Sequence, residues 1–194
     1  LRIRPMLPRF VQRRLAPGAL PSAEVLLRLP RAAGAPRWFW SDGAGTSVAG
    51  LGCAARIRAQ GPGRFSRLET ALREAAAGQR DDDTEGMPWF AGFAFADAAP
   101  TSPWRGFPAA MAVLPDILLW VDPTASRLWL AQGEGTGEAV ANPLMDGLVG
   151  ELRSLALHPP GDDVDGGPSV DGDPVLVDED AGFPDRLRAL IDEL

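Results

Sequence analysis

The sequence contains no lysine and no tyrosine, and only one cysteine and one histidine. All 19 basic residues are arginine. A lysine Schiff base, a Walker A lysine and a lysine general base are therefore excluded. The single cysteine, Cys53, rules out an intrachain disulfide and fits a reducing cytoplasm, which is the expected compartment. With one histidine, His158, neither a Cys/His zinc site nor a Cys–His nucleophile pair is supported. No GxSxG turn is present, so a hydrolase triad has no anchor. Long apolar runs are also missing. The best candidate, AAMAVLPDILLWV (109–121), is broken by Pro115 and Asp116 and reads as buried strand rather than a membrane span. The first ten residues carry Arg and Pro without an apolar h-region, so no signal peptide is expected. The chain opens on Leu1 rather than Met, which fits a non-standard start or a cut N-terminus.

What is present is an ordinary globular composition, with 45% apolar residues over 194. Net charge is −7, which argues against a nucleic-acid partner. Plentiful Ala, Gly, Pro, Arg and Asp beside absent Lys and Tyr fit a G+C-rich genome. Residues 1–22, rich in Arg and Pro, are expected to form a loosely ordered arm. Residues 23–160 are expected to form an α+β region with mostly antiparallel sheet. Within it, AEVLLRLP (23–30) and RWFW (37–40) read as strands. SVAGLGCAARIRAQG (47–61) reads as two short strands or one bent at Gly50 and Gly52. The turn-rich loop 41–46 makes a hairpin of the flanking strands.

A helix is expected over 61–78, with Phe65, Leu68, Leu72 and Ala75 on its apolar face. PWFAGFAFAD (88–97) follows as a strand, its small even positions leaving room for another layer. MAVLPDILLWVD (111–122) and SRLWLAQGE (126–134) read as a strand pair joined by Asp122-Pro123-Thr124-Ala125. A second helix is expected over 142–159, with Asn142 as N-cap and Pro143 first. Residues 161–182 hold eight acidic residues and no basic one, the composition of an acidic linker or exposed loop. Residues 183–194, FPDRLRALIDEL, begin an amphipathic helix with Phe183, Leu187, Leu190 and Leu194 in its stripe. No capping residue follows that stripe.

Single residues offer little chemistry. His158 before Pro159 reads as a cation at a helix C-terminus. DDVDGG (162–167) begins like a calcium loop but lacks its later ligands, and DDD (81–83) reads as a solvated run. GAGTSVAGLG (43–52) lacks the third glycine and the following helix of a phosphate cradle. No catalytic, cofactor-binding or metal-binding residue emerges.

Three stretches carry a family likeness. The first is residues 37–72, with its aromatic strand, Val48-Ala49-Gly50-Leu51-Gly52 and Gly61-x-x-Arg64-Phe65 opening a helix. The second is PWFAGFAFAD (88–97), and the third is SPWRGFPAAMAVLPDILL (102–119). In this order and spacing they resemble the N-terminal region of isochorismate synthases, within the wider group of chorismate-using enzymes. The early motif around the amino-acid site of anthranilate synthase relatives is not found. The resemblance implies a sandwich of two large, mostly antiparallel sheets with helices outside. It implies conversion of chorismate to isochorismate, for menaquinone or a catechol siderophore. In that reaction a Lys serves as general base, a Glu as general acid, and further Glu residues hold Mg²⁺.

In the family, a helix like 183–194 leads into the strand that carries the Lys, and the acid and metal ligands come later still. None of these roles transfers to this sequence, and Glu151 and Glu179 receive none. The expectation is therefore the N-terminal part of such a synthase, inactive alone, binding no Mg²⁺ itself. Its partner would be the missing C-terminal half, with no nucleic acid and no membrane. The alternatives are a non-catalytic module pairing with a separate chorismate-binding chain, or the corresponding part of salicylate or anthranilate synthase.

Overall fold

A computed structural model describes residues 7–30, 34–78, 87–94, 108–133 and 138–158. Eight strands form two antiparallel sheets, so the architecture is α+β. In chain order the elements are β1 (Arg9–Leu15), a 3₁₀ helix (Ala23–Arg28), β2 (Arg37–Ser41), β3 (Ser47–Leu51) and β4 (Ala55–Ala59). Then come α1 (Arg64–Gly78), β5 (Phe90–Phe93), β6 (Ala110–Leu114), β7 (Ile117–Val121), β8 (Ser126–Gln132) and α2 (Glu138–Leu157). The larger sheet has the order β1-β8-β7-β3-β2, and the smaller β4-β6-β5.

The central strands of the larger sheet are buried on both faces, which explains the nearly continuous apolar strand Ile-Leu-Leu-Trp-Val at β7. One face carries Ala49, Leu51, Ile117, Leu119 and Leu128 and packs on the 3₁₀ helix and α2. Met145, Leu148 and Leu152 supply the α2 side of that core. The opposite face carries Phe10, Val48, Leu118 and Trp129, and packs against Trp89, Phe90 and the start of the smaller sheet. Trp129 and Leu118 have no solvent exposure. Truncating a buried tryptophan of this kind costs about 3–5 kcal/mol. A third cluster joins α1, through Leu68 and Leu72, to Ile57, Ala59, Ala110 and Ala112 of the smaller sheet.

The structure corrects several expectations. The N-terminal arm is not loose over residues 9–15: β1 pairs along its whole length with β8, Arg9 opposite Gln132 and Leu15 opposite Ser126. Phe10 and Leu15 are buried, and that anchors the strand despite its arginines. The segment 23–28 is a 3₁₀ helix rather than a strand. Ser22 caps it, accepting from the Glu24 N–H at 3.1 Å, while the Ala23 N–H donates to Ser47 Oγ at 2.8 Å. These side-chain acceptors replace the strand partners that the apolar composition implied.

The expected strand 111–122 is two strands in different sheets, β6 and β7, separated at Pro115-Asp116. For 47–61 the first of the two expected alternatives holds: it is two short strands, and the structure adds that they lie in different sheets. Phe65 does not join the core of α1; it is about half exposed and meets Phe93 edge-to-face at 5.2 Å. The open side of β5 carries no further described layer at Gly92. The second helix begins at Glu138, so Asn142 is not its cap and Pro143 lies inside it. Pro143 is exposed, and the Ala139 carbonyl forgoes its usual donor at a solvated site. The hairpins β2–β3 and β7–β8 match expectation. Residues 161–182 and the helix expected over 183–194 lie outside the described residues, as do 81–83 and 162–167. Among the described residues no helix is long and apolar enough to cross a membrane.

Candidate functional site

The chain passes between the two sheets twice, through Gly52-Cys53-Ala54 and through Pro115-Asp116. Both crossings occur at one place, and its geometry accounts for two of the stretches singled out in the sequence. Gly50 has no room for a side chain because Pro115 fills that space: a Cβ there would lie 2.8 Å from Pro115 Cβ and 3.1 Å from Phe90 Cε2. Gly52 has φ +75°, and a Cβ there would lie 2.8 Å from Asp116 Cγ. The buried Asp116 carboxylate accepts from the Cys53 N–H at 2.9 Å. Backbone bonds complete the crossing. Asp116 N–H donates to Leu51 O at 2.9 Å, Ala54 N–H to Leu114 O at 2.8 Å and Ala131 N–H to Asp116 O at 2.7 Å. Trp38 Nε1 donates to Gly52 O at 3.0 Å. This is a structural joint: the carboxylate is engaged by backbone and enclosed, not presented to a ligand.

Arg64 has a comparable role at the start of α1. Its guanidinium is buried, donates through Nη2 to Ala94 O at 2.9 Å and lies 4.4 Å from the Phe65 ring centroid. It ties α1 to the end of β5. The neighbouring Arg67 closes the preceding turn by donating to Gln60 O.

Asp122 and Asp42 hold turns. Asp122 is pulled down to about 2, first by the Thr124 hydroxyl at 2.6 Å and then by the Thr124 and Ala125 N–H groups at 2.7 and 2.8 Å. Asp42 is lowered in the same way by the Ala44 and Thr46 N–H groups. His158 is exposed at the end of α2, its Nδ1 3.1 Å from Ser154 O. The lone cysteine is half-buried, with Sγ 3.7 Å from Ala55 O.

A cleft of about 700 Å³ lies between the β7–β8 turn, residues 18–21 and the end of α2. Leu20, Val121, Ala156 and Leu157 give it apolar walls, with Arg153 and Asp122 at its edge. Asp122 is already committed to its own turn, so the cleft holds no acid–base pair. Among the described residues no group of three or more His, Cys, Asp or Glu side chains could hold a metal ion. Sequence reading missed Asp116 and Arg64 as determinants. The signal lay in the glycine at 52, whose need for space points to a close neighbour.

Among the described residues these features define a two-sheet α+β scaffold in which Asp116, Arg64, Asp122 and Asp42 hold its crossings and turns. Comparison with known families adds what the geometry leaves open. The family model described as chorismate binding enzyme matches residues 11–143, more than half of the chain, and the chain belongs to that family. No curated protein matches it.

Proposed function

We propose that this chain is the N-terminal part of an isochorismate synthase, contributing scaffold to an enzyme that converts chorismate to isochorismate. The observation that carries the proposal is the chorismate-binding family match across 11–143. The finer assignment rests on the likeness of residues 37–72, 88–97 and 102–119 to that enzyme's N-terminal region. Two of those stretches meet in the folded chain, where Gly50 and Gly52 receive Pro115 and Asp116.

The proposed reaction adds water at one ring carbon as a hydroxyl leaves another. It needs a general base, a general acid and Mg²⁺ to steady the substrate carboxylate. A sequence without lysine does not supply the family's base. Those groups belong, in this proposal, to a chorismate-binding portion acting together with this one. That portion is either continuous with this chain or a separate polypeptide.

The test is turnover. Purified chain is incubated with chorismate and Mg²⁺, and products are separated by chromatography. The expected result is no turnover alone and isochorismate formation once the chorismate-binding portion is present. Turnover by the chain alone would overturn the proposal. Salicylate or anthranilate as the product of the completed enzyme would replace isochorismate synthase with one of those relatives.

A further inference from the structure

Among the described residues the two sheets present four edge strands, β1, β2, β4 and β5. β1 carries Arg9, Arg13 and Arg14, and β4 carries Arg56 and Arg58, so either strand paired with its own copy would crowd like charges. β5 is uncharged but only four residues long, and its Phe93 already meets Phe65. β2 reads Arg-Trp-Phe-Trp-Ser and keeps Phe39 46% and Trp40 52% exposed, a cost in apolar surface.

The hydrogen bonds flanking β2 show which way its residues bond. Asp42 N–H donates to Thr46 O and Gly52 N–H to Pro36 O, so bonding toward β3 falls on the even-numbered residues. Trp38 and Trp40 therefore bond to β3, while the backbone N–H and C=O groups of Phe39 and Ser41 point out from the edge. The two faces of the strand are both apolar. Trp40 stands in a row with Val48 and Trp120 on one face, and Phe39 in a row with Ala49 and Leu119 on the other.

We propose that β2 is the strand through which two copies of this chain pair, antiparallel and about a two-fold axis at Trp40. Three features select a second copy as the occupant. First, the outward groups of β2 match themselves. With Trp40 facing its counterpart, Phe39 of each copy faces Ser41 of the other, and each such pair exchanges both backbone hydrogen bonds. A register shifted past Ser41 meets the turn, where Asp42 bonds back to Thr46 and Gly43 has φ +71°. Arg37 takes no part in this ladder and keeps the contacts it already makes. Second, the charges run the right way. β2 opens on Arg37, and Asp42 follows its last residue, so antiparallel pairing brings unlike ends together. Arg37 of one copy comes opposite Gly43 of the other, beside Asp42 and within the ~10 Å over which salt leaves charges interacting. Third, Trp40 meets its counterpart at a non-hydrogen-bonded position, where Cα atoms lie about 4.5 Å apart and aromatic pairs attract. The row Trp120-Val48-Trp40 then continues into the same row of the second copy. Because both copies use the same strand, the contact closes at the dimer. Two half-exposed aromatics per copy, of about 150–250 Å² each when whole, bury only a few hundred Å² in total. The dimer is therefore weak, populated at about 0.1 mM and above.

The experiment is analytical sedimentation of the full 194-residue chain over about 0.01–0.5 mM, joined to site-directed cross-linking. The expected result is a monomer–dimer equilibrium that Trp40→Lys, which sets like charges on the axis, weakens about tenfold or more. Trp40→Phe keeps an aromatic pair there and should keep the dimer. Cross-linking is read in a Cys53→Ala background, which removes the native thiol. Trp40→Cys places its two thiols within disulfide reach across the axis and should give a covalent dimer on mild oxidation. Phe39→Cys lies two residues out of register with its own counterpart and should not. A monomer at every concentration overturns the proposal. So does an association that Trp40→Lys leaves unchanged, or equal cross-linking by Trp40→Cys and Phe39→Cys.

Discussion

The Asp116 carboxylate occupies the space that a side chain at residue 52 would need, with its Cγ 2.8 Å from where a Cβ would stand. Gly52→Ala therefore incurs both a clash and an unfavourable positive φ, and is expected to cost about 2–4 kcal/mol. Asp116→Ala leaves the Cys53 N–H without its carboxylate acceptor, a loss of about 1–3 kcal/mol. The double variant should cost less than the sum of the two, since the clash disappears with the carboxylate. Urea unfolding of all four proteins measures this coupling, expected at about 0.5–3 kcal/mol. Strict additivity would show that the two residues do not compete for space.

Arg64 is buried, and its planar fork reaches a backbone carbonyl while resting near an aromatic ring. A lysine ammonium is compact and more strongly hydrated, so Arg64→Lys is not conservative here. The expected loss is about 1–3 kcal/mol, with faster amide exchange where α1 meets β5. A stability equal to wild type would remove the tie between α1 and the Ala94 carbonyl from the account.

Asp122 makes stability depend on pH. Its folded-state pKa is lowered from the ordinary carboxylate value to about 2, so the ionised form is favoured in the folded chain. The sign follows: the contribution is fully present above the unfolded value and fades as pH falls from about 4 to about 2. Because the turn lies at the surface, the effect is small. Asp122→Ala should lower the melting temperature by an amount on the order of 2 °C at pH 7. That difference should shrink on acidification, and a difference that grew instead would contradict the assignment of these hydrogen bonds.

The β5 edge, Phe-Ala-Gly-Phe, carries no charge and leaves Phe93 55% exposed. Phe93→Arg should reduce self-association at high concentration, as measured by light scattering. It gives up the edge-to-face contact with Phe65, worth about 0.5–1.5 kcal/mol. Unchanged scattering would show that β5 is not where copies stick together.

The parts legible in the sequence were those written in local chemistry. The hairpin β2–β3 was announced by turn residues between aromatic and β-branched strands, and α1 by Leu68, Leu72 and Ala75 before Gly78. The parts misread depend on distant partners. Alanine, valine and leucine at 23–28 look like strand until Ser47, from another element, accepts the Ala23 N–H. The arginines of β1 look like a solvated arm until Phe10 and Leu15 find a core formed partly by β8. Pro115 reads as an interruption of one strand, whereas it marks the passage from one sheet to the other. Catalytic chemistry was not legible because the sequence has no lysine and only one histidine and one cysteine, and no acidic pair stands out by its spacing. What could be read was likeness of pattern, and the chorismate-binding family match bears that out at the family level.

The pairing of β1 with β8 also has a consequence in time. Arg9 waits for Gln132 and Leu15 for Ser126, so β1 leaves the ribosome more than a hundred residues before the strand it pairs with. At a synthesis rate of about 5–20 residues per second, that wait lasts roughly 6–25 seconds. During it Phe10 and Leu15, buried in the folded chain, have no β8 to pack beside.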